Sequence, residues 1–169
     1  MQGGNVTLYP PVIVRIDDRL IHGQVLVGWC NHYNIRDILV ADDEIAREEW
    51  EKNLLLMAVT GQMHADVVPV AEAVKKIQHC LKAREKCMVL VASPFHIEQM
   101  DRHGLAVRTI NVGGIHFKEG RREFLHYLFL NDEEVAAFQR LMKKGYRFVC
   151  QDVPDGPHYD LARILAKKK

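Results

Sequence analysis

Arg19 and His22 stand three positions apart in the stretch VRIDDRLIHGQVLVGW (residues 14–29), directly after the acidic pair Asp17 and Asp18. These residue types suit chemistry on a phosphoryl group. Imidazole, with an ordinary pKa near 6.5, is a nucleophile that is neutral around pH 7 and easily regenerated. The planar fork of Arg19 could grip two phosphoryl oxygens in a way that a lysine ammonium cannot copy. A nearby carboxylate could accept the second imidazole N–H and fix the tautomer, and by residue type either Asp17 or Asp18 qualifies. Arg19 could equally spend its charge in a salt bridge to either acid. The backbone amides of Gly23 and Gln24 would complete an anion cradle.

The elements around this stretch decide whether such a cradle can form. Val12, Ile13, Val14 and Ile16 make a β-branched run suited to a buried strand, and Gly23 opens a helical pattern with Val25, Leu26 and Trp29 on one side. His22 therefore falls where the carboxyl end of a strand meets the amino end of a helix. In open α/β sheets that edge binds anions, because unpaired amides and the helix dipole both favour negative charge.

The same alternation runs along the whole chain. Strands are expected near 12–16, 36–41, 65–68, 87–92, 107–112, 123–129 and 146–151, and helices near 23–33, 43–59, 70–83, 94–103, 132–144 and 158–166. The pattern predicts a single α/β domain: an open, mostly parallel twisted sheet of about seven strands, covered by helices on both faces. The apolar run FLHYLFL fits either a strand or a short helix. Asn111, Gly113 and Gly114 end a later strand and should emerge on the same edge as His22, where two glycines would permit positive φ and close approach of the backbone to an anion, or form a tight turn. Asp42 and Asp43 close the second strand there too, with helix capping their expected role.

Composition narrows the classes. The chain has 169 residues, 48% of them hydrophobic and 27% charged, enough for one well-buried core. A net charge of +1 argues against nucleic acid as a partner. The longest apolar runs fall far short of the roughly 20 residues of a membrane span, and the opening MQGGNVTLYPP does not read as a secretory signal, so a cytoplasmic location is expected. Residues 1–10 and 166–169 are expected to be flexible ends around a core of about 11–165. Four cysteines without a C-x-x-C pair read as buried reduced thiols. Among the other histidines, His116 could approach the glycine segment. His32, at the end of the first helix, could interact with the helix dipole, and His64, His79, His96, His103, His126 and His158 show no metal-ligand spacing and read as surface or core residues.

The block RIDDRLIHGQV resembles the active-site loop of the IIB components of the mannose/fructose/sorbose class of the bacterial sugar phosphotransferase system. INVGGIHF (residues 110–117) resembles that family's second signature, a strand running into an Asn-Val-Gly-Gly turn, and ILVADDEIA and NLLLMAV fit the order of segments between the two. The resemblance covers roughly residues 11–165. It implies a phosphocarrier that takes a phosphoryl group on Nδ1 of His22 from a IIA phosphohistidine and passes it to a sugar presented by membrane IIC and IID partners, at the inner face of the membrane. It assigns Asp17 rather than Asp18 to orienting the imidazole; Gly23, Gln24, Asn111, Gly113 and Gly114 are, by residue type and place at the strand ends, the expected phosphate-binding residues.

On this reading neither a metal nor a cofactor is required, consistent with the absence of nucleotide-binding glycine fingerprints. A homodimer is compatible with it. Gly28 and Cys30 depart from the more polar residues expected beside Trp29, which leaves room for a phosphorylated regulator in an incomplete system. A non-catalytic anion-binding module would keep Arg19 and the glycines but have no need of His22. A receiver-like signalling domain would require an aspartate ending the third strand and a lysine ending the fifth, and neither is present.

Overall fold

The computed structural model describes residues 9–168. β1 (Val12–Asp17) lies in the middle of a sheet whose outer partners are added on both sides: β2 (Asp37–Ala41), β3 (His64–Val68), β4 (Cys87–Val91), β5 (Thr109–Gly114), β8 (Arg147–Cys150) and β9 (Tyr159–Asp160), in the order β3-β2-β4-β1-β5-β8-β9. All neighbours run parallel except β9, which pairs antiparallel with β8. Strands buried on both faces need near-continuous apolar sequence, and VIVRID and CMVLV supply it.

Two clusters form the core, one on each face. Val12, Val14 and Ile16 of β1 pack with α3 (Val70–Ala83), α4 (Pro94–Arg102), α5 (Asp132–Lys143) and α6 (Leu161–Lys167), through residues such as Ile77, Met100, Phe138 and Leu165. Ile13 faces the other way, with Val40, Met88 and Leu90, against Val25, Leu26, Trp29 and Cys30. This second cover is a π-helical segment (Gln24–Cys30) that ends in the short α1 (Asn31–Tyr33), flanked by α2 (Glu49–Leu56). Strand side chains alternate between faces, so Arg15 and Asp17 share the face of Ile13, beneath the π-helical segment.

The sheet has the seven strands expected, with one exchanged. FLHYLFL is not a helix but two short strands, β6 (Arg122–Leu125) and β7 (Leu128–Leu130), which pair as a separate hairpin sheet rather than adding one strand to the main sheet. His126 and Tyr127 interrupt the run, so each half is short and buries alternate residues: Phe124 on one side, Leu128 and Leu130 on the other. The seventh sheet strand is instead β9, inside the region expected to be helical from 158. The helix starts only at Leu161, where the Asp160 carboxylate accepts from the Ala162 amide at 2.9 Å.

The helix expected over 43–59 is also broken. Asp42 accepts from the amides of Glu44 and Ile45, both at 2.9 Å, which holds a separate 3₁₀ turn (Ile45–Arg47); Glu48 is then extended before α2 begins. α5 starts at a capping box in which the Asn131 side chain accepts from the Glu134 amide at 2.8 Å and Glu134 accepts from the Asn131 amide at 3.0 Å. The expected loose ends fall largely outside the described residues. Within them, however, Tyr9 is 5% exposed and belongs to the core, and α6 extends to Lys167. Among the described residues no helix is long and apolar enough to cross a membrane.

Candidate active site

The site begins with a tight turn at the end of β1. The Leu20 amide donates to the Asp17 carbonyl at 2.9 Å, and Leu20 adopts φ 59°, a left-handed conformation uncommon for a branched side chain. Burial of Leu20 in the second core cluster anchors that turn. Asp17 Oδ1 accepts from the Arg19 amide at 3.2 Å, the local bond through which aspartate favours turns. The turn delivers His22 to the start of the helical segment, where the amides of Gly23 and Gln24 lack intrahelical acceptors.

Asp17, fully buried, is the hub. Arg19 Nε donates to Oδ1 at 3.1 Å and Arg19 Nη2 to Oδ2 at 3.1 Å; Arg15 Nη2 donates to Oδ2 at 3.2 Å; His22 Nε2 lies 3.1 Å from the same oxygen. Burial alone would raise the Asp17 pKa. The hydrogen bonds from His22 and Arg19 and the charge of Arg15 outweigh it and hold the carboxyl well below the usual carboxylate range. An ionised Asp17 can only accept, so His22 Nε2 carries the proton and Nδ1 of the neutral ring carries the lone pair. Among the described residues Nδ1 makes no hydrogen bond, and the imidazole is 17% exposed. Arg19 is the accessible cation, 38% exposed, with Nη2 also donating to Gln24 Oε1 at 3.2 Å.

Arg15, which sequence reasoning passed over, lies behind Asp17 with no exposed surface. Nη1 donates to Asn111 Oδ1 at 2.5 Å and to the Gln151 carbonyl at 3.0 Å, Nη2 donates to the Asp152 carbonyl at 3.2 Å, and the guanidinium lies 4.6 Å from the centroid of the Trp29 ring. The signal that could have found it was a single cation inside the otherwise apolar run VIVRI.

The glycine segment differs from expectation. Asn111, Gly113 and Gly114 belong to β5 itself, and neither glycine has positive φ. Asn111 is fully buried and spent on Arg15, Tyr9 Oη and the Val149 and Gln151 carbonyls, so it faces away from the exposed edge. Register shifts between β1 and β5 so that Ile16 pairs with Val112 but Asp17 with Gly114, which leaves Gly113 as the extra residue of a bulge. A Cβ on Gly113 would fall 1.8 Å from Arg15 Cζ; its hydrogen is what makes room for the guanidinium. Gly114 alone lines the site, its missing Cβ lying 3.5 Å from Asp17 Oδ1 and 3.6 Å from Arg19 Nη2.

The model of the sorbose subfamily of phosphotransferase-system IIB components matches residues 11–169. This chain belongs to that family. The family implies a part in phosphotransfer during sugar uptake. The chain is 30% identical to the fructose-specific EIIB component of Bacillus subtilis over 154 residues, covering 91% of this chain and 94% of that protein. It is likewise 30% identical, over 155 residues, to the mannose-specific EIIAB component of Escherichia coli, where the match takes in 92% of this chain but 48% of the relative; the chain spans about half the length of that protein. The IIBSor domain of the sorbose permease from Klebsiella pneumoniae superposes with a TM-score of 0.83 at 27% identity, covering 94% of this chain and 98% of the domain.

Two further hydrogen-bonded aspartate–histidine pairs lie along the same edge of this IIB chain. Asp18 points away from His22: its carboxylate takes the His116 amide at 2.8 Å and His116 Nδ1 at 2.5 Å, with Arg121 at 3.7 Å. His116 does approach the site, its Cε1 lying 3.2 Å from where a Gly114 Cβ would stand. Asp42, besides capping the 3₁₀ turn, receives His96 Nε2 at 2.9 Å, and His96 Nδ1 meets Ser93 Oγ at 2.8 Å. Asp43 accepts from the Val70 amide at 2.8 Å and so starts α3. All four cysteines are free; Cys30, Cys87 and Cys150 are buried as expected, with burial raising the Cys30 thiol to about 11, whereas Cys80 is half-buried on α3.

Proposed function

We propose that this chain is a phosphocarrier, a protein-phosphohistidine–sugar phosphotransferase in which His22 Nδ1 accepts a phosphoryl group from a IIA phosphohistidine. The Nδ1 lone pair attacks phosphorus, the P–N bond to the donor breaks, and its electron pair returns to the donor imidazole. In the second half-reaction a sugar hydroxyl, presented by IIC and IID at the inner face of the membrane, attacks the same phosphorus and gives up its proton to solvent; the P–N bond breaks and its electron pair returns to His22 Nδ1. Residues 11–165 are the unit that performs it.

The observation that carries this reading is the state of one ring: His22 Nε2 lies 3.1 Å from a fully buried Asp17 while Nδ1, among the described residues, has no hydrogen-bond partner. Arg19 can turn from Asp17 to the phosphoryl oxygens, and the Gly23 and Gln24 amides can donate to the same oxygens, stabilising charge where it develops. Gly114 allows the approach from the β5 side. Asn111 and Gly113 seat Arg15 rather than contact the phosphoryl group.

The test is incubation of the purified chain with ³²P-labelled phospho-IIA. An acid-labile, base-stable label is expected. No label, or one lost in base as an aspartyl phosphate would be, overturns the proposal.

A further inference from the structure

We propose that Arg15 is a positioning residue: its buried guanidinium balances the charge of Asp17, so that Asp17 can orient His22 without turning the imidazole into its cation. This rests on the reading of His22 as the phosphoryl acceptor.

An orienting carboxylate poses a conflict for a nucleophilic histidine. Asp17 must be ionised to hold Nε2–H, yet an uncompensated carboxylate 3.1 Å away favours the imidazolium, which has no lone pair on Nδ1. A countercharge on the far side of Asp17 resolves the conflict. Arg19 cannot supply it throughout the reaction. It is 38% exposed, and once it turns to the phosphoryl oxygens its charge is withdrawn from Asp17.

Arg15 cannot turn away. Four oxygen acceptors, the Asn111 side chain, the Gln151 and Asp152 carbonyls and Asp17 itself, hold its two terminal nitrogens, and Trp29 covers one face. Trp29 is in turn fixed by donating Nε1 to the Asp152 carbonyl at 2.8 Å. Gly113 leaves the space that the guanidinium fills. Burying a cation so thoroughly is costly, and an apolar side chain would pack β1 more easily. The elaborate seat, built from β5, the residues after β8 and the π-helical segment, serves the one partner that faces the site. Arg19 is thus the movable charge and Arg15 the stationary one.

The other charged groups around His22 do not duplicate it. Asp18 and Arg121 are committed to His116 and to each other on the β5 side, Arg121 being also paired with Glu134. The Asp152 carboxylate faces His126 at 3.4 Å.

The experiment follows the His22 ring resonances by NMR against pH in the unphosphorylated chain, alongside the rate of phosphoryl acceptance from phospho-IIA at pH 6 to 9. In Arg15→Met the His22 titration midpoint should move to higher pH by about one unit. Transfer near pH 7 should fall and recover at higher pH. Arg15→Lys, which keeps the charge, should restore the midpoint. Gly113→Ala keeps Arg15 but pushes the guanidinium from its seat, and should move the midpoint in the same direction if Arg15→Met fails to fold. An unshifted midpoint in the folded variants, or a rate loss equal at every pH, would show that Arg15 merely supports the fold. Absence of labelling in the wild-type chain together with a shifted midpoint would sink the acceptor role of His22 and leave the charge-balancing role standing.

Discussion

Asp17–His22 and Asp42–His96 are the same pair of side chains on the same edge of the same sheet, and only one is equipped for transfer. In both, an ionised carboxylate held below its usual range accepts from Nε2–H, at 3.1 Å in the first and 2.9 Å in the second. They differ at the other nitrogen. His96 Nδ1 accepts from Ser93 Oγ at 2.8 Å, so its lone pair is spent, whereas among the described residues His22 Nδ1 has no partner. They differ also in what balances the acid: two guanidiniums converge on Asp17, while Asp42 is satisfied by the Glu44 and Ile45 amides. An aspartate that orients a histidine thus marks a reactive site only when the ring keeps one nitrogen free and a cation stands ready for the incoming charge.

The comparison is sharpened most by deleting each ring. His22→Ala should abolish labelling by phospho-IIA, while His96→Ala should label within about twofold of wild type; equal loss in both would erase the distinction. Next is Arg19→Lys, which keeps a charge and loses the fork. Transfer should slow by about tenfold or more, equivalent to about 1.4 kcal/mol, and Arg19→Ala should be slower still. Wild-type rates in Arg19→Lys would remove guanidinium geometry from the account.

Asp17→Asn should also slow transfer, and by more than Asp18→Asn, because Asp18 serves His116 rather than His22. Binding of IIA, which involves a far larger surface, should change little in either variant. The pH dependence of stability has a definite sign. The folded-state pKa of Asp17 is depressed, so its contribution is fully present above about pH 4, the unfolded value, and is lost as pH falls. In urea unfolding, the deficit of Asp17→Asn relative to wild type should therefore narrow below about pH 4. The smallest effect is expected from Asp42→Ala, which should cost about 1 kcal/mol of stability through the lost cap and leave transfer unchanged.

The frame of the site was legible because it rests on local patterns. A β-branched run, a glycine and an amphipathic segment put His22 at a strand-to-helix edge, and the spacing to Asp17 and Arg19 let one short turn bring all three together. Arg15 was not legible, since its partners Asn111, Gln151 and Asp152 lie far along the chain and only sheet register brings them within reach. The glycines misled for a related reason: Gly-Gly ordinarily signals a turn, but here a bulge in β5 and the bulk of a buried guanidinium explain Gly113. FLHYLFL was ambiguous because seven apolar and amphipathic residues fit a strand as well as a short helix, and the β6–β7 pairing with the bridge of Leu128 to Ile115 places it as a hairpin.

The proposed chemistry turns on a single atom, His22 Nδ1. Phosphorylating the chain with phospho-IIA and reading the product by mass-spectrometric mapping together with ³¹P and ¹⁵N NMR identifies both the residue and the ring nitrogen that carry the phosphoryl group. The expected product is a phosphohistidine at His22 with phosphorus on Nδ1 and Nε2–H still bonded to Asp17. Phosphorus on His22 Nε2, or on His116 or His96, would contradict it.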